Sequence, residues 1–158
     1  MKIFIAGIMQ GSIQEKSIHS QNYRKEIADK LRTKFPDAEI YDPFGNHQNS
    51  LNYTDQTGKE TFLKHNRMCG TDVDLLIAYI PEASMGTAVE MWEAWKNNAK
   101  VISITPMIAN WAVRFLSHAV YPDLSSFLKG VDGWSLQDGQ LILPPTENVF
   151  GDQFQNFE

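Results

Sequence analysis

The sequence predicts an α/β domain in which a parallel sheet carries helices on both faces. Three observations predict it. Short continuous apolar runs occur at 2–6 (KIFIA), 74–80 (DLLIAYI) and 101–105 (VISIT). Amphipathic stretches of helical period lie between them. A glycine or proline closes each run: Gly7, Pro81 and Pro106. Apolar runs without alternation suit strands buried on both faces, and strands joined through helices pair in parallel.

Taken in order, 2–6 forms the first strand. After a polar loop, 17–34 places Ile18, Tyr23, Ile27 and Leu31 on one helical stripe, and Pro36 closes that helix. Residues 38–42 (AEIYD) make a short second strand stopped by Pro43. The stretch 43–58 (PFGNHQNSLNYTDQTG) is polar and aperiodic, and a loop this long in a compact domain is commonly functional. A second helix is expected over 59–70, and 74–80 is the third strand. The stretch 86–97 reads as a helix turning Ala88, Met91, Trp92 and Trp95 toward the core. Residues 101–105 form the fourth strand. Further helices are expected over 109–119 and 123–130, with Asp123 as N-cap. LILPP at 141–145 reads as a short edge strand, and 131–158 as a partly irregular tail of one domain spanning 1–158.

Composition narrows the class. The 158 residues are 42% hydrophobic and 21% charged, a balance that supplies one core and disfavours disorder. The net charge of -5 disfavours a dedicated nucleic-acid binder, which would carry a basic surplus. A small anionic ligand stays possible, because backbone N–H groups hold one without basic side chains. The N-terminal MKIFIAG lacks the apolar length of a signal peptide, and no segment approaches the ~20 apolar residues of a membrane span. A cytoplasmic location is expected. The single cysteine, Cys69, excludes an intrachain disulfide and a Cys-rich zinc site. His19, His47, His65 and His118 show no paired metal spacing, so neither a metal nor a cofactor is expected.

In parallel sheets, ligands bind beyond the carboxyl ends of the strands. That rule selects four loops, Gly7–Ser12, Asp42–Ser50, Pro81–Gly86 and Pro106–Asn110, and predicts that they converge on one cleft. The first, AGIMQGS, is neither a dinucleotide fingerprint nor a P-loop, but Gly7 and Gly11 let a ligand approach the backbone; the alternative is a plain tight turn. Gln10 lies between those glycines. The segment DLLIAYIPEASMGTAVEMWEAW at 74–95 runs from strand through Ser84 and Gly86 into a helix bearing Glu90. A helix N-terminus favours negative charge, so Glu90 is expected to stay ionised and suited to nucleophilic attack. The competing reading is a carboxylate that merely complements the helix dipole. Glu93, beside Lys96 and Asn97, reads as part of a solvated face. His47 is retained as a substrate contact, and Asn110 with Trp111 as a border of the cleft.

The segment 74–90 resembles the signature of the nucleoside 2-deoxyribosyltransferase family, including its 2'-deoxynucleoside 5'-phosphate N-hydrolase branch. Asp74, the LLIAYIP run, Ser84, Gly86 and Glu90 match in register. KIFIAGIMQGS is similar to the family's first strand and glycine loop. YDPFGNHQ at 41–48, with Asp42 and His47, sits where the family often has a substrate loop. The resemblance covers about residues 1–110. It implies a flavodoxin-like three-layer sandwich and cleavage of the N-glycosidic bond of a (deoxy)nucleoside or nucleotide. Glu90 would form a covalent glycosyl intermediate, resolved by water or by a second base. Ser84 would contact sugar or phosphate. The resemblance also implies a homodimer or higher homo-oligomer, with the region of Arg114 and Ser117 across the interface.

Three positions depart from the family pattern. Asn66 stands where an acidic residue serves in acid–base work, with Asp72 as a possible substitute. Gln10 replaces an Arg of the phosphohydrolase branch, and Phe4 an aromatic hydroxyl. Asn66 and Gln10 motivate an alternative: a catalytically inactive nucleotide-binding or sensing module on the same fold. A flavodoxin-type redox protein shares the topology only and would require FMN.

Overall fold

The computed structural model describes residues 1–145. Five strands, β1 (Lys2–Gly7), β2 (Glu39–Tyr41), β3 (Leu75–Tyr79), β4 (Lys100–Ile104) and β5 (Ala119–Tyr121), form one parallel sheet in the order β2-β1-β3-β4-β5. This is the flavodoxin-like order of a doubly wound fold. Register follows from side-chain period. Ile3, Ile5, Leu75, Ile77, Ile102 and Ile104 face one core, while Phe4, Ala6, Leu76, Ala78 and Val101 face the other. A slip of one residue would exchange the two sets, so the pairings Ile3 with Leu75 and Leu75 with Lys100 are strongly specified.

Helices α1 (Asn22–Lys34) and α6 (Leu124–Gly130) cover the first face through Tyr23, Ile27, Leu31 and Phe127. Helices α3 (Asp55–Thr71), α4 (Met85–Lys96) and α5 (Trp111–Leu116) cover the second through Cys69, Met91, Ala94, Val113 and Leu116. The chain leaves β1 for β2 on one side and later returns to β3 on the other. The carboxyl ends of β1 and β3 therefore flank a crevice.

The structure differs from the sequence reading in five places. The helix expected from 17 begins at Asn22, and Ile18 belongs to the preceding loop, which Gln21 pins. The stretch 43–58 is built rather than irregular. Asp42 caps the short α2 (Pro43–Asn46), Ser50–Asn52 forms a 3-10 turn, and Thr54 caps α3 four residues earlier than expected. Trp92 is 47% exposed and stacked on Trp95, because Thr87, Met91 and Ala94 take the inward stripe of α4.

The 109–119 helix ends at Leu116, and Ala119–Tyr121 pairs with β4 as a fifth strand too short to show a period. Residues 135–142 form an antiparallel hairpin, β6 (Ser135–Gln137) with β7 (Gln140–Ile142), so LILPP does not join the main sheet. Its turn places Asp138 and Gly139 at positive φ, the pairing that tight hairpins favour. Trp134 before it is fully buried and donates to the Tyr121 hydroxyl at 2.9 Å. Of the partly irregular tail expected over 131–158, residues 131–142 form a 3-10 turn and this hairpin, and the part beyond 145 lies outside the described residues. Among the described residues no helix is long and apolar enough to cross a membrane.

Candidate active site

A cavity of about 750 Å3 lies at the crevice between β1 and β3. Three of the four loops selected from the sequence meet there, through Gly7, Gln10 and Gly11, through Pro43 and His47, and through Ser84 and Gly86. The fourth loop, 106–110, does not line it. β4 lies one strand beyond the switch point, and the Asn110 side chain is spent on capping α5, accepting from Ala112 N at 3.0 Å and Val113 N at 3.4 Å. A wall the sequence reading missed comes from the first half of α3, where Asp55, Gly58, Lys59, Phe62 and His65 recur at helical spacing.

Glu90 lines the cavity and is half-buried. It sits in the second turn of α4, whose first turn holds no acidic residue, so the helix N-terminus contributes little to its charge. Burial dominates and raises its carboxyl from 4.5 to about 7, while the Arg24 cation opposes the shift. The expectation that the helix N-terminus keeps Glu90 ionised is therefore corrected: burial outweighs it and favours the neutral acid. The carboxyl accepts no hydrogen bond from a described residue. Ser84 is the N-cap of α4, accepting from Thr87 N at 3.4 Å and hydrogen-bonded to Thr87 Oγ1 at 3.0 Å.

A polar junction holds the segments that line the cavity. Arg24, at the start of α1, is 2% exposed. It donates through Nη1 to Ile5 O (2.6 Å) and Asp42 Oδ1 (3.1 Å), through Nη2 to Gly7 O (3.2 Å), and through Nε to Gln21 Oε1 (2.7 Å). Gln21 in turn donates to Ile8 O (3.0 Å) and His19 O (2.8 Å), holding the first loop. Tyr23 donates to Ile8 O at 3.3 Å and stacks on Tyr79 with ring centroids 4.0 Å apart. A Cβ at position 7 would stand 2.3 Å from the Tyr23 hydroxyl, so only glycine fits there.

One side of the site is aromatic. Tyr53 and His47 Nδ1 are hydrogen-bonded at 2.8 Å, and Tyr41 and His65 Nε2 at 3.2 Å, with the two imidazoles edge to face at 5.2 Å. Burial lowers the His65 imidazole to about 4 and also lowers that of His47, aided by Lys64. Both rings are neutral at pH 7, each with one donor and one acceptor nitrogen. No group of three or more His, Cys, Asp or Glu among the described residues is arranged to hold a metal ion.

Of the residues singled out from sequence, Gly7, Gln10, Gly11, His47, Ser84, Gly86 and Glu90 line the cavity. Asp42 does not; its carboxylate accepts from Arg24 and from Phe44 N at 3.0 Å. Asn66 does not either, and its side chain donates back to Phe62 O at 3.0 Å. Asp72 is the exposed C-cap of α3, just before β3 and so at the opposite, amino end of the sheet, where it cannot substitute for Asn66. His65, one residue before Asn66, reaches the cavity instead. Asn66 instead turns its amide back along its own helix to Phe62 O and is absent from the lining. The 3–4 residue spacing of Asp55, Lys59, Phe62 and His65 was the available signal for this wall.

No family model matches the sequence, and no curated protein matches it. Among solved structures, a 2-deoxyribosyltransferase from the psychrotolerant bacterium Bacillus psychrosaccharolyticus is similar at a TM-score of 0.60 and 16% identity, over 81% of this chain and 90% of that one. A CMP N-glycosidase from Clostridium botulinum is similar at 0.49 and 16%, over 84% of this chain and 98% of that one. The first of these likenesses shows a shared fold.

Proposed function

We propose that this protein cleaves the N-glycosidic bond of a nucleoside or nucleotide, with Glu90 as nucleophile. The observation that carries the reading is Glu90 itself, a half-buried carboxyl free of hydrogen-bond donors, at the switch-point crevice of a fold shared with a 2-deoxyribosyltransferase. In this reading the Glu90 carboxylate attacks the anomeric carbon of the sugar. The C–N bond breaks, and its electron pair leaves with the base, which takes up a proton. Water or a second base then attacks the same carbon and releases Glu90, giving hydrolysis or base exchange.

The aromatic side formed by His47, Tyr53 and His65 suits the base, since ring faces stack on it and neutral imidazoles donate and accept. The loop of Gly7, Gln10 and Gly11, with Ser84 and Gly86, suits the sugar. A cytoplasmic site of action and a small-molecule partner belong to the same proposal, as does a homodimer formed through the exposed apolar residues of α4 and α5.

The test is to incubate the protein with deoxynucleosides, ribonucleosides, their monophosphates and NAD, and to measure free base by chromatography. Base release by the parent and at least a ~1,000-fold loss in Glu90→Gln is expected, about 4 kcal/mol of transition-state stabilisation. No base from any substrate, or equal release by the variant, overturns the assignment. A second reading, a nucleotide-binding module without chemistry, is favoured by Asn66 facing away from the cavity. It predicts a nucleotide-dependent thermal shift equal in parent and Glu90→Gln, with no turnover in either.

A further inference from the structure

We propose that Arg24 is a positioning residue for the cavity that holds Glu90: its buried guanidinium fastens the carboxyl end of β1 and the start of α2 into one frame, and its charge acts on the Glu90 carboxyl. This inference rests on the proposed role of Glu90. A guanidinium removed from water is tolerated only when its donors are satisfied and its charge has a use. Arg24 is 2% exposed, and its donors reach two backbone carbonyls of β1, Gln21 and Asp42.

Each of those partners holds a segment of the cavity. Gly7 lines it directly. Gln21 pins the loop that carries Gln10 and Gly11. Asp42 caps α2, which leads to His47. One side chain thus sets the spacing between the sugar side and the base side of the proposed site.

The charge argument is separate. Carbonyl oxygens solvate the guanidinium without neutralising it, and among the described residues Asp42 is the one carboxylate paired with it. The groups acting on or beside Glu90 are Arg24 and Tyr23 from α1 and Cys69 from α3; Tyr79 of β3 and Asp42 act on Tyr23. Burial pushes the Tyr23 hydroxyl and the Cys69 thiol up, and His65 is neutral, so these three bring no charge to the site at pH 7. Lys16 and Lys59 line the cavity from exposed positions, where water screens them. Arg24 is therefore the cation that opposes burial at Glu90.

The experiment follows the Glu90 carboxyl by carbon-13 NMR titration of glutamate-labelled protein, assigned against Glu90→Gln, alongside base release. Removing the cation in Arg24→Gln is expected to raise the Glu90 midpoint by roughly one unit. Asp42→Asn keeps the α2 cap but frees the guanidinium, and is expected to lower the midpoint. Arg24→Lys keeps charge without the planar fork, so the midpoint holds while KM rises about tenfold as the two sides of the site loosen. If Arg24→Gln and Asp42→Asn shift the midpoint in the same direction, or if Asp42→Asn and Arg24→Lys both leave the midpoint and KM unchanged in folded protein, the proposal is overturned. Asp42→Asn and Arg24→Lys keep the test decisive if Arg24→Gln fails to fold. An inactive parent with opposite NMR shifts would sink the glycosidic reading and leave Arg24's role standing.

Discussion

At the scale of single residues, burial decides more than sequence position. Glu90 looks from sequence like a helix N-terminal carboxylate, yet its second-turn location removes the dipole and its half-buried setting raises it to about 7. Two outcomes follow. In the proposed role of Glu90 as nucleophile, its carboxylate accumulates as pH rises, so kcat/KM should climb through an acid limb centred near 7 and flatten above it; a flat profile between pH 5 and 8 would count against that role. Stability runs the other way. Between the unfolded value of 4.5 and the folded value of about 7, the folded state holds the proton more tightly, so its advantage is complete at low pH and is lost as pH rises through 7. Glu90→Gln has no charge to bury. It should melt higher than the parent at pH 8, by about 2 kcal/mol after allowance for its partial exposure, and equal the parent near pH 4.5. Calorimetry at the two pH values checks both.

At the scale of elements, caps and close approaches place the loops that form the site. Gly7 ends β1 against the Tyr23 hydroxyl, and an added methyl would meet it at 2.3 Å. Gly7→Ala should therefore cost about 1–3 kcal/mol in chemical denaturation and reduce base release as the first loop shifts. Asn110 is the contrasting case. It caps α5 and lies away from the cavity, so Asn110→Ala should cost about 1 kcal/mol of stability while base release per folded molecule stays at the parent level. A selective fall in KM-dependent activity would return Asn110 to the site.

For the whole molecule, helices α4 and α5 expose large apolar side chains among the described residues. Met85 is 85% exposed and Trp111 75%, with Val89 and Trp92 also exposed on α4. Covering such residues against a second copy would remove them from water at about 25 cal/mol per Å2 of apolar area. Trp111→Glu should convert a dimer to a monomer in analytical ultracentrifugation without disturbing the cavity, which Trp111 does not line. A parent that sediments as a monomer at high concentration would remove the dimer from the proposal.

The layered α/β fold was legible because the long strands are buried on both faces and read as continuous apolar runs, as Leu75–Tyr79 does. Glu90, Ser84 and the glycine loop were legible because the strand-end rule ties them to sequence order. β5, the hairpin after Trp134 and the ordered stretch after Asp42 were not, since elements of three or four residues are too short to show a period. The sequence by itself determined the strands, their alternation with helices and the segment carrying the candidate nucleophile, all of which rest on local hydrophobic period. Only the tertiary structure decided which face of α3 meets the crevice, bringing His65 and not Asn66 to it, and that a buried guanidinium acts on a half-buried carboxyl. Helix rotation and electrostatics in a low-dielectric interior depend on packing between segments far apart in the chain, and no local pattern records it.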